Sequence, residues 1–198
     1  MGRLWKEIGK ILSGDFGKMK KLNLGCGKSI KKGWTNLDLI KGEGVDVVWD
    51  LDKTPYKPLK DNEFDFILAE MVLEHTWEPD KVIKELWRIS KKGGEVKIIV
   101  PHFSNWQAWG DITHRRPFNS TSLFSFSSRK SHRGSTSLIN VQKEIFDINS
   151  KITFGKIKRF FGFEYFFNLN NYARGFYERN LSYFFPAESI IFNLKTLK

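Results

Sequence analysis

The run LNLGCG at residues 22–27 places two glycines directly after a short apolar stretch. Glycines there let the chain turn tightly and let a ligand come close to the backbone. Asp38, in NLDL, ends the next apolar stretch. A carboxylate at that place can accept two hydrogen bonds from a ribose diol. The third glycine of a dinucleotide fingerprint would fall on Ile30, and only residues 28–33 separate Gly27 from Trp34. That leaves room for about one helical turn, so no full helix offers its N-terminus to a pyrophosphate. The loop suits a nucleoside without phosphates better than a dinucleotide; the bland alternative is a structural turn.

Proton-handling chemistry has four histidines to draw on, at 75, 102, 114 and 132. His114, in DITHRR beside Asp111, is the candidate general base, with Asp111 orienting it; alternatively it pins a loop to the sheet. His75 follows Glu74 in MVLEH, where it serves a site or caps a turn. Arg115 and Arg116 could clamp a carboxylate or phosphate, or lie solvated. Trp106, Trp109 and Phe118 offer flat apolar surface for a sugar or base, or form the underside of a lid. No metal site is expected. The lone Cys26 excludes an internal disulfide and any Cys–Cys zinc site, and reads as a small residue packed in the glycine turn.

The elements that must position these groups follow from patterning. Lys21–Leu24, Trp34–Leu39, Val45–Trp49, Phe64–Leu68 and Glu95–Val100 read as short buried strands. Pro79–Ser90 reads as a helix with Val82, Ile83, Leu86 and Ile89 on one face, stopped by Gly93 and Gly94. Strands of this kind interleaved with helix indicate an α/β doubly wound, mostly parallel sheet with helices on both faces. Carboxyl ends of parallel strands face the site, which puts His75 and His102 near it. Residues 102–150 break the rhythm and read as a lid or binding insertion. Lys156–Phe167 and Ser189–Leu194 read as two further strands, and residues 3–13 as a short amphipathic helix.

The net charge is +11. Residues 101–198 carry 14 basic against 6 acidic side chains and 15 of the 18 phenylalanines. A near-neutral half joined to a basic, Phe-rich half suggests a cofactor-binding part and a part that meets an anionic or aromatic partner. The alternative is a solvated basic face over a Phe-packed core. No apolar run approaches the ~20 residues that span a bilayer, so a soluble cytoplasmic protein is expected.

Taken in order, LNLGCG, NLDL (36–39), VVWDLD (47–52), FDFILAEMVLEH (64–75) and GGEVKIIVP (93–101) resemble the class I S-adenosylmethionine-dependent methyltransferases, closest to the group with a methyltransferase-type-11 domain. DITHRRPFNSTSLFSF (111–126) more weakly resembles a post-sheet element of part of that group. The resemblance implies a Rossmann-like sheet of seven strands with an antiparallel last strand, in a single domain over 1–198: an N-terminal helix (1–19), a cofactor core (20–101), an insertion (102–150) and C-terminal strands (151–198). It implies S-adenosylmethionine as cofactor, with Gly25, Cys26 and Gly27 beside its methionine portion and Asp38 and Leu39 at its ribose. Asp50 and Leu51 would hold the adenine, Glu70 and Met71 would floor the sulfonium, and His75 would stand at the rim. The family usually has an acid where this chain has Asn23, which brings no charge to the cofactor's ammonium.

Methyl transfer from a sulfonium is an in-line displacement with an activated leaving group, so orientation in a dry pocket carries much of the rate. The expected acceptor is a small molecule or glycan-like compound, anionic by the charge balance, methylated at oxygen or nitrogen. His102, Trp106, Arg115, Arg116 and Phe118 would contact it. An RNA methyltransferase and a non-catalytic S-adenosylmethionine-binding regulator are the alternatives, with a nicotinamide oxidoreductase further behind. A monomer and a homodimer are both compatible. AEMV stands where exocyclic-amine methylases of adenine carry Asn-Pro-Pro-Tyr or Asp-Pro-Pro-Tyr, and Cys26 is wrongly placed for a cytosine C5 methylase.

Overall fold

The computed structural model describes residues 19–127 and 144–198. The helix expected at 3–13 and His132 lie outside the described residues. Seven strands form one sheet: β1 (Lys21–Leu24), β2 (Thr35–Asp38), β3 (Val47–Val48), β4 (Phe64–Glu70), β5 (Ser90–Pro101), β6 (Phe146–Ile152) and β7 (Ser189–Thr196). Their order is β3-β2-β1-β4-β5-β7-β6. The first five are mutually parallel, and β7 runs antiparallel to both β5 and β6.

The sheet is held by near-continuous apolar strands. Leu22, Leu24, Ile67, Val96, Ile98 and Val100 are all buried in the main core. Helix α1 (Pro79–Ile89) crosses from β4 to β5 with Pro at its first position and Asp80 in its first turn, both favourable at a helix start. Its Val82, Ile83, Leu86 and Ile89 are buried, and burial of each stabilises by about 1.5–3 kcal/mol. The helix ends at Ile89, before the two glycines expected to stop it. Gly93 and Gly94 instead lie inside β5, where pairing with β4 jumps from Phe64↔Ser90 to Phe66↔Glu95. A Cβ on Gly94 would lie 2.9 Å from the Lys91 carbonyl oxygen, so the irregular register needs glycine.

Helix α2 (Gln107–Gly110) is a single turn after β5, and two expectations fail beyond residue 140. Lys156–Phe167 is not a strand: it forms α3 (Lys156–Phe160) and α4 (Phe163–Asn168). Helix α5 (Asn171–Asn180) follows, its start capped by the Asn170 side chain accepting from Ala173 N–H at 2.8 Å. The edge strand is Phe146–Ile152, with Phe146, Ile148, Ser150 and Ile152 buried and the residues between them exposed. The insertion expected over 102–150 therefore ends in sheet. Lys156–Phe167 read as a strand, but Ile157, Phe160 and Phe161 recur at helical spacing between Gly155 and Gly162. A second small core of Ile152, Phe154, Tyr177 and Ala187 ties these helices to β6. Among the described residues no helix is long and apolar enough to cross a membrane.

Candidate active site

The carboxyl ends of β1 and β4 lie side by side where the strand order reverses, the usual place for a ligand in an open α/β sheet. Gly25 leaves β1 with φ +63°, and a Cβ there would lie 2.5 Å from a Val72 methyl group. Gly25 is thus fixed both by conformation and by its contact with the chain leaving β4. Gly27 has φ +49°, and a Cβ would meet nothing within 4 Å, so its backbone faces open space. Its N–H donates to Asp38 Oδ2 at 2.7 Å, while Asp38 Oδ1 accepts from Ile40 N–H at 3.0 Å. The half-buried carboxylate is therefore locked in place, with lone pairs left for a further donor.

No helix forms after Gly27; an amide network organises the short loop instead. Asn23 is 3% exposed, and its Nδ2 donates to the Ser29 carbonyl at 2.8 Å and to Asn36 Oδ1 at 3.0 Å. Asn36 Oδ1 also accepts from Lys31 N–H, and Asp46 accepts from Asn36 N–H. Both Asn23 N–H groups are spent on the loop, so its observed work is to hold the glycine turn. Buried Cys26 donates its N–H to the Leu37 carbonyl at 2.9 Å, and burial pushes its thiol pKa up. Leu39 is exposed. Asp50 is half-buried and accepts from Asp52 N–H, and Leu51 packs against the main core. Glu70 ends β4, exposed, and Met71 follows it with φ +52°, a conformation that costs a side-chain-bearing residue about 1 kcal/mol or more.

A cavity of about 630 Å³ opens beyond Met71, lined by Glu74, His75, Pro101, Trp106, Asp111 and His114 among others. His75 and His114 stand edge to face, centroids 4.7 Å apart. Thr113 Oγ1 donates to Asp111 Oδ1 at 2.6 Å and lies 2.8 Å from His75 Nδ1. Its single proton goes to the carboxylate, so its oxygen accepts from His75 Nδ1–H. His114 Nδ1 lies 3.2 Å from the Ala108 carbonyl, which can only accept. Both rings thus keep a free lone pair at Nε2. Asp111 was expected to orient His114, but its Oδ2 is 3.9 Å from His114 Nε2; its short bonds run through Thr113 to His75.

Glu74 is 1% exposed, and neither carboxylate oxygen finds a hydrogen-bond partner among the described residues. Burial pushes its pKa up to about 7. Burial, then the neighbouring His114, holds His75 below its ordinary value. The Thr113 hydrogen bonds hold Asp111 below the usual carboxylate range. Glu74 and Thr113 were missed as site residues in the sequence. MVLEH did show Glu74 beside a histidine, but nothing in the letters showed its side chain buried without a partner.

Two expected acceptor contacts are corrected. His102 is fully buried, with Nδ1 2.8 Å from Ser104 Oγ and Nε2 3.4 Å from Glu178 Oε1. Phe118 is a core residue. Burial removes both from an acceptor's reach. The Arg115 guanidinium stacks 3.5 Å from the Trp77 ring centroid, and Arg116 donates to the Trp77 carbonyl at 2.6 Å. Trp106 is 77% exposed on the cavity wall.

Residues 35–98 match the family profile described as a methyltransferase domain. An uncharacterised protein of Methanocaldococcus jannaschii is 36% identical over 92 residues, which are 46% of this chain and 42% of that protein. The chain thus spans less than half the length of this relative. A solved S-adenosylmethionine-dependent methyltransferase from Archaeoglobus fulgidus superposes with TM-score 0.57 at 14% identity, over 98% of this chain and 93% of that one. One from Thermotoga maritima, described as a possible histamine N-methyltransferase, gives 0.53 at 16%, over 94% and 86%. Glycine turn, switch point and strand order agree with those structures: this chain has the class I S-adenosylmethionine-dependent methyltransferase fold, and its residues 35–98 resemble a methyltransferase domain.

Proposed function

We propose that this protein transfers a methyl group from S-adenosylmethionine to an oxygen or nitrogen of a small-molecule or glycan-like acceptor. The observation that carries this reading is the 630 Å³ cavity beside Met71. It adjoins the end of β4 on one side and the Glu74–His75–His114 cluster on the other. S-adenosylmethionine, when bound, supplies a methyl carbon already activated toward displacement.

The residues present fit that cofactor. Gly27 leaves open backbone, and Asp38 is held rigid with lone pairs spare for a ribose diol. Leu51 and Asp50 border the same edge after β3. Met71 and Glu70 stand at the end of β4, where the reacting centre would lie. Trp106 offers a flat wall to a sugar ring. His75 and His114, each with a free Nε2, line the acceptor side of the cavity. Orienting both reactants in a pocket is worth about 7–11 kcal/mol in favourable cases.

Titration calorimetry with S-adenosylmethionine and S-adenosylhomocysteine tests the reading, on wild type and on Asp38→Ala. Both ligands should bind, and the substitution should weaken both at least tenfold with the fold intact by circular dichroism. Absence of binding to wild type would overturn the proposal. Anionic glycans and RNA are then screened side by side as acceptors. Turnover on RNA that falls steeply with salt would move the assignment to nucleic acid.

A further inference from the structure

We propose that Glu74, His75 and His114 bind a divalent metal ion on the cavity wall, and that the acceptor's oxygen joins it as a ligand. The acceptor clause rests on the methyl-transfer reading; the ion site stands on geometry alone. One ligand atom from each residue lies within 4.8 Å of the other two. Shared metal–ligand bonds of about 2.0–2.2 Å would draw them closer still.

Three observations converge on a cation. Glu74 is buried with both oxygens unpartnered, and a carboxylate held out of water needs a hydrogen-bond donor or a cation. Both histidines have Nδ1 committed, to Thr113 and to Ala108, leaving the two Nε2 lone pairs for coordination. The Asp111–Thr113–His75 chain has the form of an outer shell that fixes a ligand histidine's tautomer. Asp111 Oδ2, 3.9 Å from His114 Nε2, gives the second ring a carboxylate neighbour.

Two imidazole nitrogens and one carboxylate favour Zn²⁺ or Mn²⁺ over the all-oxygen preference of Mg²⁺ and Ca²⁺. Three protein ligands leave open positions, and the cluster lines the cavity, so these positions face the acceptor. A hydroxyl bound there through oxygen becomes more acidic and releases its proton to water. The oxygen lone pair then forms the bond to the methyl carbon as the carbon–sulfur bond breaks, its electron pair going to sulfur. The metal changes no oxidation state.

The test titrates chelator-stripped protein with ZnCl₂ by calorimetry and with MnCl₂ by electron paramagnetic resonance. One ion per chain is expected, with at least 100-fold weaker binding in Glu74→Gln and in His114→Ala. Thr113→Val, which removes only the outer-shell bond, should weaken binding about 10–100-fold. S-adenosylmethionine affinity of the same variants should stay within about twofold of wild type. Failure of wild type to bind either ion, or unchanged binding in both Glu74→Gln and His114→Ala, would overturn the site. Ion binding by a wild type that ignores S-adenosylmethionine would sink the methyl-transfer reading and leave the metal site standing.

A separate observation carries a second inference: we infer that the outer surface of α3–α5 docks on an anionic lipid bilayer. Ile157, Phe160, Phe161, Tyr165, Phe166 and Phe184 are each at least 60% exposed. Phe160 contacts Phe161, and Tyr165 contacts Phe166. Rings and aliphatic chains exposed in this number mark an interaction surface. Lys156, Arg159 and Arg179 are exposed on the same helices, the pairing of apolar and basic groups that suits an anionic lipid interface. Sedimentation with phosphatidylcholine vesicles, with and without phosphatidylglycerol, tests it. Binding should rise at least tenfold with the anionic lipid and fall at least tenfold in a Phe160→Ser/Phe161→Ser variant. Equal binding of variant and wild type, no binding at all, or a solution dimer that the double variant dissolves would overturn it.

Discussion

The turn after β1 and the cavity beyond β4 lie at neighbouring strand ends, yet they treat buried polar groups in opposite ways. Around Gly25 and Gly27, the Asn23 and Asn36 amides meet partners, and Asp38 is locked by two backbone N–H groups. Such a network sets the shape of a loop and resists change. Among the described residues the buried Glu74 carboxylate is unpartnered, and the two imidazole Nε2 atoms make no hydrogen bond. The first region is completed by the protein's own groups; the second leaves polar groups open. Local satisfaction of hydrogen bonds thus separates scaffold from chemistry more sharply than residue type does.

The largest expected effect breaks the second region. Glu74→Gln should lower turnover by about 10³-fold or more while leaving S-adenosylmethionine affinity nearly unchanged, read from steady-state rates and calorimetry. Next, Gly25→Ala should destabilise the fold by about 3 kcal/mol in urea unfolding, since a methyl group meets Val72 at 2.5 Å in a left-handed conformation. Gly27→Ala provides the contrast. With open space around it, only the backbone conformation is penalised, at about 1–2 kcal/mol.

Stability against pH sharpens the comparison further. With Glu74 raised to about 7 in the folded chain from 4.5, the folded state holds more protons than the unfolded state between those values. Its favourable contribution is therefore full below about 4.5 and lost as pH rises through 7. Chelator-stripped wild type should lose about 2–3 kcal/mol across that window, and Glu74→Gln should flatten the slope. The smallest effect falls on Trp106, 77% exposed. Trp106→Ala should change stability by less than about 0.5 kcal/mol and raise the acceptor KM.

The parts of the fold legible in the sequence were those with one dominant local signal. The glycine turn, the strands feeding it, and α1 with its Pro79 start and apolar stripe all announce themselves within a dozen residues. β6 was hidden because Asp147, Asn149 and Lys151 dilute a run whose alternate residues are all buried. Residues 156–167 misled because phenylalanine favours strands by propensity while glycine placement and spacing set helices here. In the site, Asp38, His75, His114 and Asp111 stood out by type. The role of Thr113 did not, because a hydroxyl acquires meaning only from its neighbours across 38 residues of chain. The partner of buried His102, Glu178, likewise lies 76 residues away.

The position of β7 has a consequence for how the molecule assembles. Among the described residues β6 pairs along its length with β7 and otherwise makes only an isolated bridge from Phe146 to Ser127, and β7 joins β5 through pairs as distant as Glu95 and Lys195. β6 and β7 are much nearer in sequence, and closing the shorter loop carries the smaller entropic penalty. That difference is about 0.6 kcal/mol for a halved loop, so β6, β7 and α3–α5 form the more local unit, joined to β5 through β7. The joint pairs Pro101 with Ser189, and Pro101 is part of the cavity wall. One residue thus serves both the sheet and the cavity, so whatever shifts the β5–β7 seam at Pro101 also reshapes the cavity wall.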